Sequence, residues 1–417
     1  MRIPPSLLRI AVVGSLVGLL VTAGLATFAG PPEGTLVPNV PRGSDFLSFW
    51  AGAVVLDEAP ERLYDHTLLW QRMRDATSST IRFQNLYPPT LYQAFRPLLS
   101  LEYATAARLH LIAGVLLLAL GQWLLVLACP TLGVGRRLTW AAIAVSPVAY
   151  MNVLTGQLAG VWLVLVAGGV LLILRGKPVV GGLVLALLWT KISVAAAVAA
   201  ALFLCGQWAA LGAMAAWGIL LLGGSLALDG TVPWHAWIDL MTGERMKNLF
   251  QVPQRQLTLS ALVGWPLEET GIGPLAKRAG TAVGVGLAIL LSARARRTPV
   301  TDARWPLRFG LVLSAMLLGL PHLVEYDGSL HGIGLLASAP LLARARRPRL
   351  GLGLLVACFA TPVLHPAYAA VGVSVSALLL LGWLLWAASE DKEAAHADEH
   401  GEGHVVEGEV LGRVGAP

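Results

Sequence analysis

Long apolar stretches alternate with short polar segments along most of the chain. A helix needs about 20 apolar residues to cross a bilayer, and helices satisfy their own backbone polar groups inside lipid. The pattern predicts crossings near residues 7–29, 106–128, 138–154, 158–174, 208–228, 280–293, 306–320, 330–342, 350–364 and 367–388. Several are short, so their ends are soft. Between the fourth and fifth lie two half-length apolar segments, 179–189 and 192–205, separated by Lys191. The first covers only about 17 Å as a helix, too little to cross. A re-entrant hairpin with Lys191 at its tip is one reading, and a single bent crossing is the other.

Basic residues choose between them. Arg175 and Lys177, Arg294, Arg296 and Arg297, and Arg344, Arg346, Arg347 and Arg349 sit in short connections. Lys and Arg favour the cytoplasmic side. All three clusters fall on that side only when 179–205 re-enters. The expected architecture is an all-α polytopic membrane bundle of about ten crossings plus a re-entrant hairpin, with both termini cytoplasmic. Its transmembrane domain spans residues 1–388, with a first external loop at 30–105 and a second at 229–277. An acidic tail, 389–417, has no apolar period and is expected to be disordered.

Composition agrees with this picture. Hydrophobic residues make up 56% of the chain and charged ones only 13%, against about 25% in soluble domains. The net charge of +6 lies in orienting loops, so it points to no nucleic acid. Cys129, Cys205 and Cys358 sit in or beside apolar runs without metal-type spacing and read as packing residues. The first apolar run is long for a signal peptide, which favours an uncleaved first helix. His396, His400 and His404 recur every four residues in the tail, but Gly401 and Gly403 oppose a helix there, so no metal site is expected.

The first external loop carries the sharpest candidate. Phe46, Phe49, Trp50 and Ala53 recur at helical spacing and predict a membrane-lying helix, with Ser44 as its N-cap and Asp45 in its first turn. Asp45 is either a complement to the helix dipole or a base for lipid-linked substrates. Two further amphipathic stretches, 68–73 and 91–99, follow, the second after Tyr87-Pro88-Pro89, which enforces extended backbone. Lys191 either faces a cavity and meets phosphate or snorkels to the interface. Arg255, with Arg245 and Lys247, lies on the side where basic residues are disfavoured and is a second phosphate candidate. The turn 322–331 gathers His322, Glu325, Tyr326, Asp327 and His331, suited either to sugar hydroxyls or to capping a tight turn. Asn152 and Gln157 are candidates of the same two-sided kind.

Four segments, Asp45-Phe46 to Trp50, Leu63-Tyr64-Asp65, Tyr87-Pro88-Pro89 and Pro97-Leu98-Leu99-Ser100-Leu101, resemble the opening of glycosyltransferase family 87. Gly156-Gln157 is similar to that family's Gly-Gln element, and Leu187 to Lys191 to its short helix ending in lysine. Gln256 to Leu262 loosely resembles its Asn-Gln-Ser-Leu element, with Leu257 and Thr258 where Gln and Ser are expected. The resemblance implies a GT-C enzyme taking a sugar, typically mannose, from a polyprenyl-phosphate donor on the non-cytoplasmic face of the cell membrane. The acceptor would be a glycolipid or lipid-linked glycan, with no cofactor. It assigns the role of base to Asp45. The residues themselves make Lys191 and Arg255 the candidates for the donor phosphate, and Tyr87, Gln157, His322, Glu325, Tyr326, Asp327 and His331 the candidates around the substrates. The rival class is a polytopic transporter with a midplane site near Lys191. The large first loop and the lack of an evident internal repeat favour the enzyme.

Overall fold

A computed structural model of the 417-residue chain describes residues 35–37, 40–41, 43–77, 86–129, 152–153, 155–243, 258–320, 323, 325–334 and 336–337. The expected crossings at 7–29, 350–364 and 367–388, most of that at 138–154, part of that at 330–342, and the acidic tail lie outside these residues. So do Arg255 and His322.

The described chain is helical, apart from one small antiparallel pair, β1 (Thr35–Val37) with β2 (Val40–Pro41). These strands add to the all-α architecture expected from the sequence. The first loop then folds into α1 (Ser44–Glu58), α2 (His66–Thr77) and α3 (Pro89–Phe95), the last continuing as a 3-10 turn, Arg96–Ser100. Pro88 is extended and Pro89 sits in the first turn of α3, where its missing N–H costs nothing.

Two expectations for α1 are corrected. Its N-cap is Gly43 in a left-handed conformation (φ 58°), with no side-chain cap bond, and Ser44 is already helical. Nor does α1 lie on the membrane by one aromatic face. Phe46, Leu47, Phe49, Ala51, Ala53, Val55 and Leu56 are all buried, which covers every side of the helix. It packs under α2, α3 and the next helix, α4 (Tyr103–Ala128). A helix apolar all round belongs in an interior. The amphipathic helix of this loop is α2, which buries Leu68, Leu69 and Met73.

The apolar bundle comprises α4, α5 (Ala159–Leu174), α6 (Pro178–Ala186, extended by a 3-10 turn Leu187–Thr190), α7 (Ile192–Leu204) and α8 (Trp208–Asp229). After α8 come α9 (Val232–Thr242), α10 (Leu259–Gly264), α11 (Gly273–Arg297) and α12 (Trp305–Leu318). The helices α4, α8 and α11 are long and apolar enough to cross a membrane, while α5, α7, α12 and the α6 segment are shorter. Helix α11 starts at Gly273, inside the expected second loop. Large apolar side chains such as Leu116, Ile219 and Leu290 remain exposed on the long helices, as a lipid-facing surface requires. Cys129 and Cys205 are buried thiols, and Cys129 Sγ donates to the Ile333 carbonyl at 3.8 Å.

Glycine contacts give the directions. Gly182 on α6 abuts the Ala210 carbonyl of α8, and Gly218 of α8 abuts the Trp189 indole. Helices α6 and α8 therefore run the same way. Helix α7 must return between them, and its end meets the α8 start, where the Phe203 and Trp208 rings lie 5.2 Å apart. The chain thus reverses at Lys191. At the far end of α7, Arg296 of α11 donates to the Leu204 carbonyl (2.7 Å). That guanidinium complements the negative end of a helix dipole.

Candidate active site

Side chains from five separate segments converge above the reversal. Asp45 is half-buried in the first turn of α1. Its position follows from how α1 begins. Phe46 stacks on His110 of α4 (centroids 4.5 Å apart) and touches Tyr103 and Phe95. Gly156 packs on the same point: a Cβ there would lie 2.9 Å from the Phe46 Cβ, and its φ is +72°. Only glycine combines that backbone with that closeness. His110 Nε2 is 2.9 Å from the Gly156 carbonyl oxygen and completes the joint.

The Gly156 joint brings Gln157 in beside α1. Asn152 braces it, its carbonyl accepting the Gln157 N–H (2.9 Å) and its side-chain oxygen accepting the Ala159 N–H (2.7 Å). Asn152 therefore caps α5, one of the two roles anticipated for it. Gln157 is buried, and its Oε1 accepts the Leu158 N–H at 3.4 Å. Its side chain also hydrogen-bonds the Tyr87 hydroxyl.

Tyr87 is the meeting point. Its ring sits edge-on to Phe49 at 5.3 Å, and its carbonyl accepts the Tyr64 hydroxyl at 2.8 Å. Desolvation holds the Tyr87 phenol well above the ordinary tyrosine range, and the charges of Asp327 and Asp45 and the neighbouring Tyr92 add to this, with Gln157 opposing. Both carboxylates therefore lie close to one neutral hydroxyl.

Lys191 is buried at the reversal, and its Nζ lies 2.5 Å from Asp327 Oδ1. Asp327 belongs to the 3-10 turn Glu325–His331 and is 1% exposed. The lysine therefore does not reach for the interface. It is held in the interior by a carboxylate 136 residues away in the chain. His331 is also buried, and neither ring nitrogen has a partner among the described residues. The backbone of Glu325 and Tyr326 forms part of the same turn.

Two arrangements escaped the sequence reading. Arg96 binds Asp229 at the α8 end (2.6 Å) and Asp57 on α1 (3.4 Å), and Gln93 joins Asp229 at 2.5 Å. This network ties the first loop to α8. A cleft of about 540 Å³ opens between the first loop and α9, with Arg62, Asp65 and Asp239 on its walls. Arg62 holds the Asp65 carboxyl below its usual range. Tyr64 lines both this cleft and the Tyr87 joint.

Compared with known proteins, the family model of glycosyltransferase family 87 matches residues 85–321, more than half of the chain. That segment holds Tyr87, Gln157 and Lys191, while Asp45, Asp327 and His331 lie outside it. No curated protein and no solved structure matches.

Proposed function

Because the chain belongs to glycosyltransferase family 87, it is a membrane glycosyltransferase, and we propose that Asp45 is its general base. Membership in that family sets the transporter reading aside. The observation that carries the proposal is the convergence of Asp45, Tyr87, Gln157 and the Lys191–Asp327 pair at the start of α1. A half-buried carboxylate at this point is reachable by a hydroxyl and held by a structured surround.

The proposed donor is a polyprenyl-phosphate hexose, with mannose the sugar by resemblance, and the proposed acceptor a glycolipid or lipid-linked glycan. The acceptor oxygen attacks the anomeric carbon while its proton passes to Asp45. The bond from that carbon to the phosphate oxygen breaks, and polyprenyl phosphate departs with the electron pair. Phosphate leaves readily, so one base suffices. A single displacement inverts the anomeric centre. Lys191 and Arg255 are the proposed partners of the phosphate. Tyr87, Gln157, His322, Glu325, Tyr326, Asp327 and His331 are proposed around the two substrates. In this reading α6 and α7 re-enter from the cytoplasmic side of the cell membrane, both termini are cytoplasmic, and the site faces the other side.

The test is Asp45→Asn in the full chain, reconstituted with polyprenyl-phosphate-[3H]mannose and a glycolipid extract. Asparagine preserves size but takes no proton, so transfer should fall about a hundredfold or more while expression and donor binding persist. Transfer by Asp45→Asn at near wild-type rate would remove Asp45 as base.

A further inference from the structure

The cleft between the first loop and α9 has two walls joined at one point. From the first-loop wall, the Tyr64 hydroxyl donates to the Tyr87 carbonyl at 2.8 Å. From α9, the Trp237 indole N–H donates to the Leu86 carbonyl at 3.2 Å. Two successive carbonyls therefore anchor both walls. The second belongs to Tyr87, whose ring contacts Phe49 on the helix that carries Asp45 in its first turn. Beneath the cleft, Leu56, Leu63, Tyr64, Tyr92 and Leu240 form an apolar cluster of their own. The two walls are thus held at a fixed spacing, and the cleft adjoins the Tyr87 meeting point.

The lining selects a class of ligand. Glu61, Arg62, Asp65 and Asp239 supply polar groups, and Tyr64 and Leu240 supply a buried apolar floor. Asp65 is committed locally: one oxygen takes Arg62, and the other accepts the Thr67 N–H at 2.9 Å. Glu61 and Asp239, both exposed and one on each wall, are the carboxylates that a ligand would meet. Three carboxylates against one guanidinium repel a phosphate, so the charged group of the donor is disfavoured here. Carboxylates accept strongly from hydroxyls, and an apolar floor suits the C–H face of a sugar ring. The volume of about 540 Å³ is in the range of small-ligand sites, about 300–1,000 Å³. We propose that this cleft holds neutral sugar residues of the acceptor, next to the one that receives the transferred sugar. The assignment rests on the chain using a glycan-bearing acceptor.

The test titrates the full-length protein in lipid nanodiscs with neutral trisaccharides of mannose, glucose and galactose, followed by saturation-transfer NMR. This measurement needs neither donor nor base. At least one sugar should bind saturably. The double variant Glu61→Ala with Asp239→Ala should weaken that binding about tenfold or more, the worth of a charge-assisted bond. Both side chains are exposed, so the exchange should leave folding intact. In wild-type transfer assays with polyprenyl-phosphate-[3H]mannose, the sugar that binds should compete with a glycolipid extract as acceptor and not with the donor. Absence of saturable binding, equal binding by the double variant, or competition with the donor would overturn the proposal. So would displacement of the sugar by pyrophosphate. If Asp45→Asn is inactive and no sugar binds, only this inference fails. If Asp45→Asn transfers normally while a sugar binds through Glu61 and Asp239, the base assignment fails and this inference stands.

Discussion

The Lys191–Asp327 pair allows stability and donor binding to be separated. The two side chains are 9% and 1% exposed and 2.5 Å apart. Lys191→Met alone leaves a carboxylate in the interior without its cation, and Asp327→Leu alone leaves the cation. Breaking a buried pair from either side costs about 3–5 kcal/mol. Replacing both members with apolar side chains of similar volume is close to neutral, so the double variant should regain most of the loss. The four proteins form a double-mutant cycle, read by unfolding of the detergent-solubilised full chain. Donor kinetics on the same proteins add a second axis. If Lys191 also meets the donor phosphate, the double variant recovers stability yet keeps a donor KM raised about tenfold or more, the worth of a charge-assisted bond. Single variants as stable as wild type would refute the pairing argument. So would a double variant as unstable as either single one.

Two other outcomes are expected. In a cysteine-free background, a cysteine at Glu58 should react with an impermeant reagent from outside the cell and one at Arg297 should not; external labelling at Arg297 would overturn the proposed re-entry. Gly182→Ala drives a methyl group into the Ala210 carbonyl and should cost about 1–3 kcal/mol in the same unfolding assay, whereas Gly212→Ala, with nothing within 4 Å, should be neutral or mildly stabilising.

Much of the fold was legible because bilayer chemistry writes it plainly. The helix from Tyr103 to Ala128 and that from Trp208 to Asp229 follow from apolar length alone. Lys191 stood out because a charge in an apolar stretch is costly, but its partner could not be read, since Asp327 lies on a distant turn. The α1 helix was misplaced for a physical reason. Its aromatic stripe is real, yet Leu47, Ala51 and Val55 make the other faces apolar too, and that pattern means burial, not a surface. Ser44 has the chemistry of a cap, but a left-handed Gly43 starts the helix instead. His110 and Arg96 gave no signal, because a lone polar residue in or beside a helix has no periodic signature. Their importance comes from the partners that folding brings to them.

The reversal at Lys191 also constrains how the molecule is made. Segments as short as α6 and α7 are weak candidates for independent insertion by the translocation machinery. They must settle against α5 and α8, and α8 leaves the ribosome after them. Lys191 then waits for Asp327, 136 residues later in the chain. Until that turn is synthesised, the nascent protein holds a buried lysine without this carboxylate. Completion of the site is thus a late event in biogenesis, and chains truncated before residue 327 are expected to be substrates for membrane quality control.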